Sequence, residues 1–144
     1  MTKLFVVPAV LSLGLIAILA SPARTAPDSK PKTAEAQIEQ GKKLYTDKCA
    51  KCHGDAGQGT KDGPVVVGKD AFPLDPRAKA KRNVKFHTAA DVFAWASKNM
   101  PANKPGSLTT DEYLAIFAFD LSANGVKLDA PLDGPAAAKI VLHP

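Results

Sequence analysis

The sequence predicts a small helical protein. Three segments, at 34–48, 88–99 and 109–124, show the apolar spacing of helices. Two of them open on a threonine that is followed three residues later by an acidic residue, which is a helix-start pattern. The chain has 144 residues, of which 45% are hydrophobic and 23% are charged, as expected for one soluble domain with a modest core.

The first helix is predicted over 34–48, immediately before the two cysteines of the chain. Ile38, Gly41 and Leu44 or Tyr45 fall three or four residues apart on one side of it. A glycine inside a helix costs about 1 kcal/mol relative to alanine. We therefore expect another backbone to pack closely against Gly41.

A long loop is predicted over 54–86, with GPVVVG at 63–68 as its apolar part. Within it, RAKAKRNVK at 77–85 places five cations in nine residues, and we expect these side chains to be solvated. The second helix then follows over 88–99. His87 precedes its threonine cap and is expected in a loop or on the surface.

The third helix is predicted to begin at the Thr109–Glu112 capping box and to end at Asn124-Gly125. Its broad apolar coverage predicts burial against the first helix. The remaining tail, 126–144, is interrupted by prolines. We expect this tail to run extended over the surface.

The N-terminus has the layout of a secretory signal peptide. Lys3 precedes an apolar run of 17 residues at 4–20, and SPA at 21–23 offers small residues for cleavage after Ala23. Residues 24–35 would then form a flexible linker and 36–144 the folded domain, exported to the periplasm. The alternative is an uncleaved membrane anchor, although 17 residues is short for a spanning helix.

The charge of the chain favours a protein partner over nucleic acid. The whole sequence carries 19 basic and 14 acidic residues, and loss of Lys3 with the signal peptide leaves a net charge of +4. This lacks the dense basic and aromatic clustering of nucleic-acid binders. Lysines on an exported chain instead predict docking on the acidic face of another protein. A membrane is expected as a partner only if the signal segment stays uncleaved.

Both cysteines of the chain lie in KCAKCH at 48–53, for which three kinds of site are possible. A disulfide or thioredoxin-like redox pair belongs after a β-strand, whereas a predicted helix precedes this motif. A structural zinc site needs two further ligands, and the remaining histidines, His87 and His143, are isolated.

The third kind of site accounts for all three residues of the C-x-x-C-H pattern. This pattern is the attachment signature of c-type haem. The thiols of Cys49 and Cys52 add to the two vinyl groups of the haem as thioethers. The adjacent His53 is then carried under the ring, where its imidazole can bind iron. The sequence therefore predicts one covalently attached haem c.

Met100 is the predicted second axial ligand, because Met1 would leave with the signal peptide. A lone methionine more often fills a gap in a core. Met100 instead lies in a polar loop after a helix, stiffened by Pro101 and Pro105, which favours ligation. His87 is the alternative ligand.

A Gly-Pro turn at 63–64 predicts a contact behind His53. An iron-bound histidine gives its other ring N–H to an acceptor, which orients the ring and raises its basicity. The Pro64 carbonyl could be that acceptor. The alternative is a plain turn with no such role.

The motifs C-x-x-C-H-G, the Gly-Pro loop, NMPANKPGSLT and the final helix EYLAIFAF resemble the class I cytochromes c over about 36–125. The resemblance implies a small all-α fold whose helices and long loops wrap one covalently bound haem, with the first and last helices crossing beside it. It also implies five site residues: the anchors Cys49 and Cys52, the axial ligands His53 and Met100, and the acceptor Pro64.

The resemblance implies a one-electron carrier that converts no substrate and serves periplasmic redox partners. The M-P…P-G-S-L-T…L-S-A-N-G stretch and the tail are similar to those of bacterial cytochromes that serve dehydrogenases or sulfur oxidation. Lys51, Lys98 and Lys104 are the candidates for docking an acidic partner. Two alternatives remain: a fixed haem subunit of a multi-subunit periplasmic dehydrogenase or oxidase, and a haem peroxidase or ligand sensor with Met100 unbound.

Overall fold

The computed structural model describes residues 30–78 and 80–143, so the predicted signal segment, 1–23, lies outside the described residues. Within these described ranges five helices follow one another: α1 Ala34–Lys48, α2 Ala50–His53, α3 Ala89–Asn99, α4 Thr110–Ala123 and α5 Gly134–Lys139. In this part of the chain the only β pairing is an isolated bridge between Thr88 and Val141. The predicted all-α class is confirmed.

The predicted starts of α1, α3 and α4 are confirmed, and each of these three helices is capped by the threonine that precedes it. Thr88 forms a capping box with Asp91, and Thr109 forms one with Glu112. In each box the threonine accepts from the N3 amide while the acid accepts from the threonine amide, satisfying two N–H groups that the helix leaves free. Thr33 caps α1, so the helix starts inside the 24–35 segment predicted as linker.

The crossing of α1 and α4 is the closest contact between helices, as expected from Gly41. A Cβ built on Gly41 would lie 1.8 Å from the backbone oxygen of Ala115, so only glycine permits this approach. Beside the crossing, the rings of Tyr45 and Phe119 pack with their centroids 5.3 Å apart. The close packing expected of Gly41 is confirmed.

The main core forms where α4 meets α3, α5 and the long loop. Phe72 from the loop packs edge-on against Phe117 of α4, with ring centroids 5.6 Å apart. Phe86 packs in the same way against half-buried Trp95 of α3. Within residues 30–78 and 80–143, no helix has both the length and the apolar character needed to cross a bilayer.

The expectation of an extended surface tail is wrong over 132–139. Leu132 and Ala137 are fully buried, and Asp133 caps the short helix α5. The Gln37 side chain of α1 donates to the Leu132 carbonyl (3.0 Å) and accepts from the Leu132 amide (2.6 Å). This paired contact joins residues 95 positions apart, so no local pattern signals it.

One residue of the basic run is not solvated as expected. Arg82 is only 8% exposed, and its guanidinium donates to four backbone carbonyls, those of Pro73, Leu74, Asp75 and Val84. Its charge also lies over the Phe86 ring, 3.8 Å from the centroid. Burial lowers the pKa of Arg82, yet the carbonyls satisfy its donors. Arg82 therefore holds the loop closed, whereas Lys81 and Lys85 are exposed.

Replacement of Gly41 by alanine tests the helix crossing. We expect Gly41→Ala to lower the free energy of unfolding by about 2 kcal/mol, because the overlap with Ala115 outweighs the gain in helix propensity. The matched control is Gly134→Ala, whose added Cβ meets nothing within 4 Å. Urea denaturation of the full chain measures both; equal stability of the two variants would contradict the packing account.

Candidate functional site

A single turn of helix carries both cysteines and the adjacent histidine. Cys49 ends α1 and caps α2, and its carbonyl accepts from the amides of Cys52 (3.0 Å) and His53 (2.9 Å). Both cysteines are half-buried free thiols rather than a disulfide. Two thiols and an imidazole are thus presented together on one short element, which is the donor set that haem c attachment uses.

The His53 ring is oriented by one hydrogen bond. Its Nδ1 lies 2.7 Å from the carbonyl oxygen of Pro64. Since a carbonyl can only accept, the shared proton is on Nδ1, and in the neutral ring the free lone pair is then on Nε2. The arrangement leaves Nε2 as the metal-binding atom and gives the ring the kind of acceptor that metal-bound histidines use.

The loop behind His53 is tied to α2 by its backbone. The Gly59 amide donates to the His53 carbonyl (2.7 Å), and the Thr60 hydroxyl donates to the Cys52 carbonyl (2.5 Å). Gly63 approaches so closely that a Cβ there would lie 2.7 Å from the Cys52 oxygen. These contacts fix the position from which Pro64 reaches the His53 ring.

The backbone of Met100 is held at both its polar groups. As C-cap of α3 it donates its amide to the Ala96 carbonyl (2.8 Å). Its own carbonyl accepts from the Gly106 amide (3.2 Å) and from the hydroxyl of Tyr113, a buried residue in the first turn of α4. The sequence analysis missed Tyr113, although a tyrosine in an apolar helix normally needs a partner for its hydroxyl.

The two other histidines lie apart from this site. His87 is exposed beside α3, and its carbonyl accepts from the Leu142 amide. His143 is in the tail, with Nε2 2.7 Å from the Phe72 carbonyl oxygen. Across 30–78 and 80–143, no three His, Cys, Asp or Glu side chains form a group that could hold a metal ion, so the zinc alternative gains no support.

Cys49 is chemically protected in the closed fold. Burial raises the pKa of its thiol to about 12, with smaller contributions from the negative charges of Asp120 and Cys52. The thiolate is the reactive form of cysteine. The Cys49 sulfur therefore reacts more readily before α1 packs on α4 than afterwards.

Asp120 is a buried acid that the sequence analysis also missed. It lies on α4 with 7% exposure, and its Oδ1 has no hydrogen-bond partner. Burial raises the pKa of this carboxyl well above its usual range. Burial raises the pKa of Tyr45, and the negative charge of Asp120 adds to this rise; the Tyr45 hydroxyl donates to the Gly54 carbonyl (2.8 Å). The available signal was a single acid inside the apolar run YLAIFAFDL at 113–121.

The three candidate docking lysines are exposed. Lys51 belongs to α2, Lys98 to α3, and Lys104 to the turn that follows Met100. None of the three takes part in an ion pair among the described residues. Their charges are therefore available to an acidic surface.

Comparison with known proteins finds a family and several relatives. Residues 36–119 match the family described as cytochrome C oxidase, cbb3-type, subunit III. The chain is 31% identical over 103 residues to a thiosulfate dehydrogenase of Stutzerimonas stutzeri (strain A1501), covering 68% of this chain and 31% of the relative. It is 33% identical over 94 residues to a thiosulfate dehydrogenase of Psychrobacter arcticus (strain DSM 17307 / VKM B-2377 / 273-4), covering 61% and 26%.

A solved structure is also similar. The crystal structure of the sulfane dehydrogenase SoxCD from Paracoccus pantotrophus superposes with a TM-score of 0.56 at 25% identity, over 86% of this chain and 68% of that one. The chain spans about a third of the length of the curated relatives it matches, 31% and 26% of them.

Proposed function

The chain belongs to the family described as cytochrome C oxidase, cbb3-type, subunit III, and we propose that it carries single electrons between redox proteins of the periplasm. The resemblance to c-type cytochromes is confirmed, and haem c is the cofactor. The periplasmic location rests on the signal peptide predicted over 1–23.

The observation that carries the proposal is the hydrogen bond between His53 Nδ1 and the Pro64 carbonyl, with the two thiols four residues and one residue before this histidine. Cys49 and Cys52 would anchor the haem through thioethers, and His53 would bind iron through Nε2. Pro64 would keep the His53 ring in that tautomer and orientation. The bound haem supplies a one-electron ferric/ferrous couple.

Met100 would supply a second ligand to the iron from the end of α3. Its amide is bonded to α3 and its carbonyl to Tyr113 of α4, so both polar groups of its backbone are held by helices. A histidine and a methionine together leave iron no open position for oxygen or peroxide. We therefore propose that the chain converts no substrate itself, against the peroxidase or sensor alternative.

Sulfur compounds are the proposed origin of the electrons. Two relatives are named thiosulfate dehydrogenase, and the similar structure is a sulfane dehydrogenase. Such enzymes release electrons that a carrier must accept. The exposed Lys51, Lys98 and Lys104 would guide this carrier to an acidic face of its partner.

A second candidate is a fixed haem subunit of a larger dehydrogenase. It is favoured by the relatives, in which the matching segment forms about a third or less of a longer chain. The tail, described over 126–143, packs on α1 and α3 of its own domain through Leu132 and α5, so its packing does not by itself favour a fixed subunit.

Replacement of Met100 tests the ligand assignment. We expect Met100→Ala to abolish the weak red absorption band that marks sulfur bound to ferric iron, and to let added cyanide bind without displacing a protein ligand. The matched control is His87→Gln, which removes the alternative ligand and should leave the spectrum unchanged. A band that survives in Met100→Ala, or is lost in His87→Gln, would refute the assignment.

Size-exclusion chromatography separates the carrier from the fixed subunit. We expect the haem absorbance of a native extract to elute at the size of a single chain at physiological salt, since docking through exposed lysines is brief and screened. Elution of the haem in a stable larger complex would favour the subunit candidate instead.

A further inference from the structure

Asp120 is the buried titratable group that electron transfer by itself does not explain. Its side chain is 7% exposed, and Oδ1 has no partner. The hydrogen bonds recorded at Asp120 go to its main-chain carbonyl, which accepts from the amide and the side chain of Asn124. A buried carboxyl with an oxygen left without a hydrogen-bond partner prefers its neutral form.

Among the described residues, no cationic side chain forms an ion pair with Asp120. The titratable groups on which the Asp120 charge acts are Tyr45 of α1 and Cys49 at the junction of α1 and α2. Cys52 acts in turn on Cys49, and Asp55, in the turn after α2, acts on Tyr45. The cation in the last turn of α1, Lys48, is exposed and paired with Asp47 at 2.6 Å. On α3 the acid Asp91 is held by its own cap, Thr88.

The charge of Asp120 acts on the proposed haem anchor. Cys49 packs against the cluster of Tyr45, Ala50 and Ile116, and Ile116 lies one helical turn before Asp120 on α4. Burial is the main cause of the raised pKa of Cys49, and the charge of ionised Asp120 adds to it. In the proposed function the Cys49 sulfur is one of the two that would join the porphyrin. A change of charge at the iron then alters the energy of a charge at Asp120, and the reverse also holds. The interaction is strong because the protein interior screens charges only weakly.

We propose that Asp120 takes up one proton when the haem is reduced, so that the chain carries a proton together with the electron. This inference rests on the proposed function. The donor protein supplies one electron to ferric iron, and the solvent supplies one proton to the Asp120 carboxylate. The products are ferrous iron and the neutral acid, and oxidation by the acceptor reverses both changes, so atoms and charges balance.

The sign of the coupling follows from electrostatics. Ferric iron carries one more positive charge than ferrous iron and therefore stabilises ionised Asp120. Reduction removes that charge, and the pKa of Asp120, already raised by burial, rises further. By linkage, ionised Asp120 must favour the ferric state equally. The reduction potential therefore falls with rising pH between the two pKa values and is constant outside them.

Potentiometric titration of the haem-loaded chain tests this inference. We expect the midpoint potential to fall over part of the range from about pH 5 to about pH 10, where buried acids can titrate. Each tenfold difference in proton affinity between the two redox states corresponds to a drop of about 59 mV. Asp120→Asn should remove this drop. The matched control Asp111→Asn, an exposed acid of the same helix, should retain it.

A drop of equal size in Asp120→Asn would overturn the inference. If that variant does not fold, infrared difference spectra of the wild-type protein decide. In the sloping range, reduction should replace a carboxylate signal by the C=O band of a protonated acid, and its absence overturns the inference. If the wild-type haem is reduced reversibly at a midpoint potential that does not depend on pH, this inference alone fails. If the chain binds no haem, the proposed function fails.

Discussion

The hydrogen bond between His53 Nδ1 and the Pro64 carbonyl is the interaction on which the site depends. It decides which ring nitrogen keeps a free lone pair, and so which atom can bind iron. The bond forms because two contacts hold the loop against α2. The Thr60 hydroxyl donates to the Cys52 carbonyl, and Gly63, which has no side chain, approaches the same carbonyl closely. A larger residue at 63 would push Pro64 away from the ring.

Helix α4 supports both sides of the site. Its backbone at Ala115 receives Gly41 of α1, the helix that leads directly into Cys49 and His53. Its first turn provides Tyr113, which fixes the carbonyl of Met100. Two segments that are distant in sequence are therefore held in place by the same helix, α4. A carrier benefits from such rigidity, because an unchanged geometry costs little reorganisation when the electron moves.

Local signals made much of the fold predictable from sequence. Thr88 and Thr109 each lie three residues from their partner in a capping box, and the C-x-x-C-H motif holds two thiols and an imidazole within five residues. The missed features are long-range. Gln37 meets the tail 95 residues away, and Arg82 is buried only because the loop closes around it. The burial of Asp120 likewise depends on the α1–α4 crossing, which periodicity within α4 alone does not reveal.

The most direct test of the account is nitrogen NMR of the reduced, haem-loaded chain with ¹⁵N-labelled histidine. The account predicts that His53 Nδ1 carries a slowly exchanging proton shared with an acceptor, while Nε2 is bonded to iron. Iron bound to Nδ1, or a His53 ring that exchanges protons freely on both nitrogens, would contradict it.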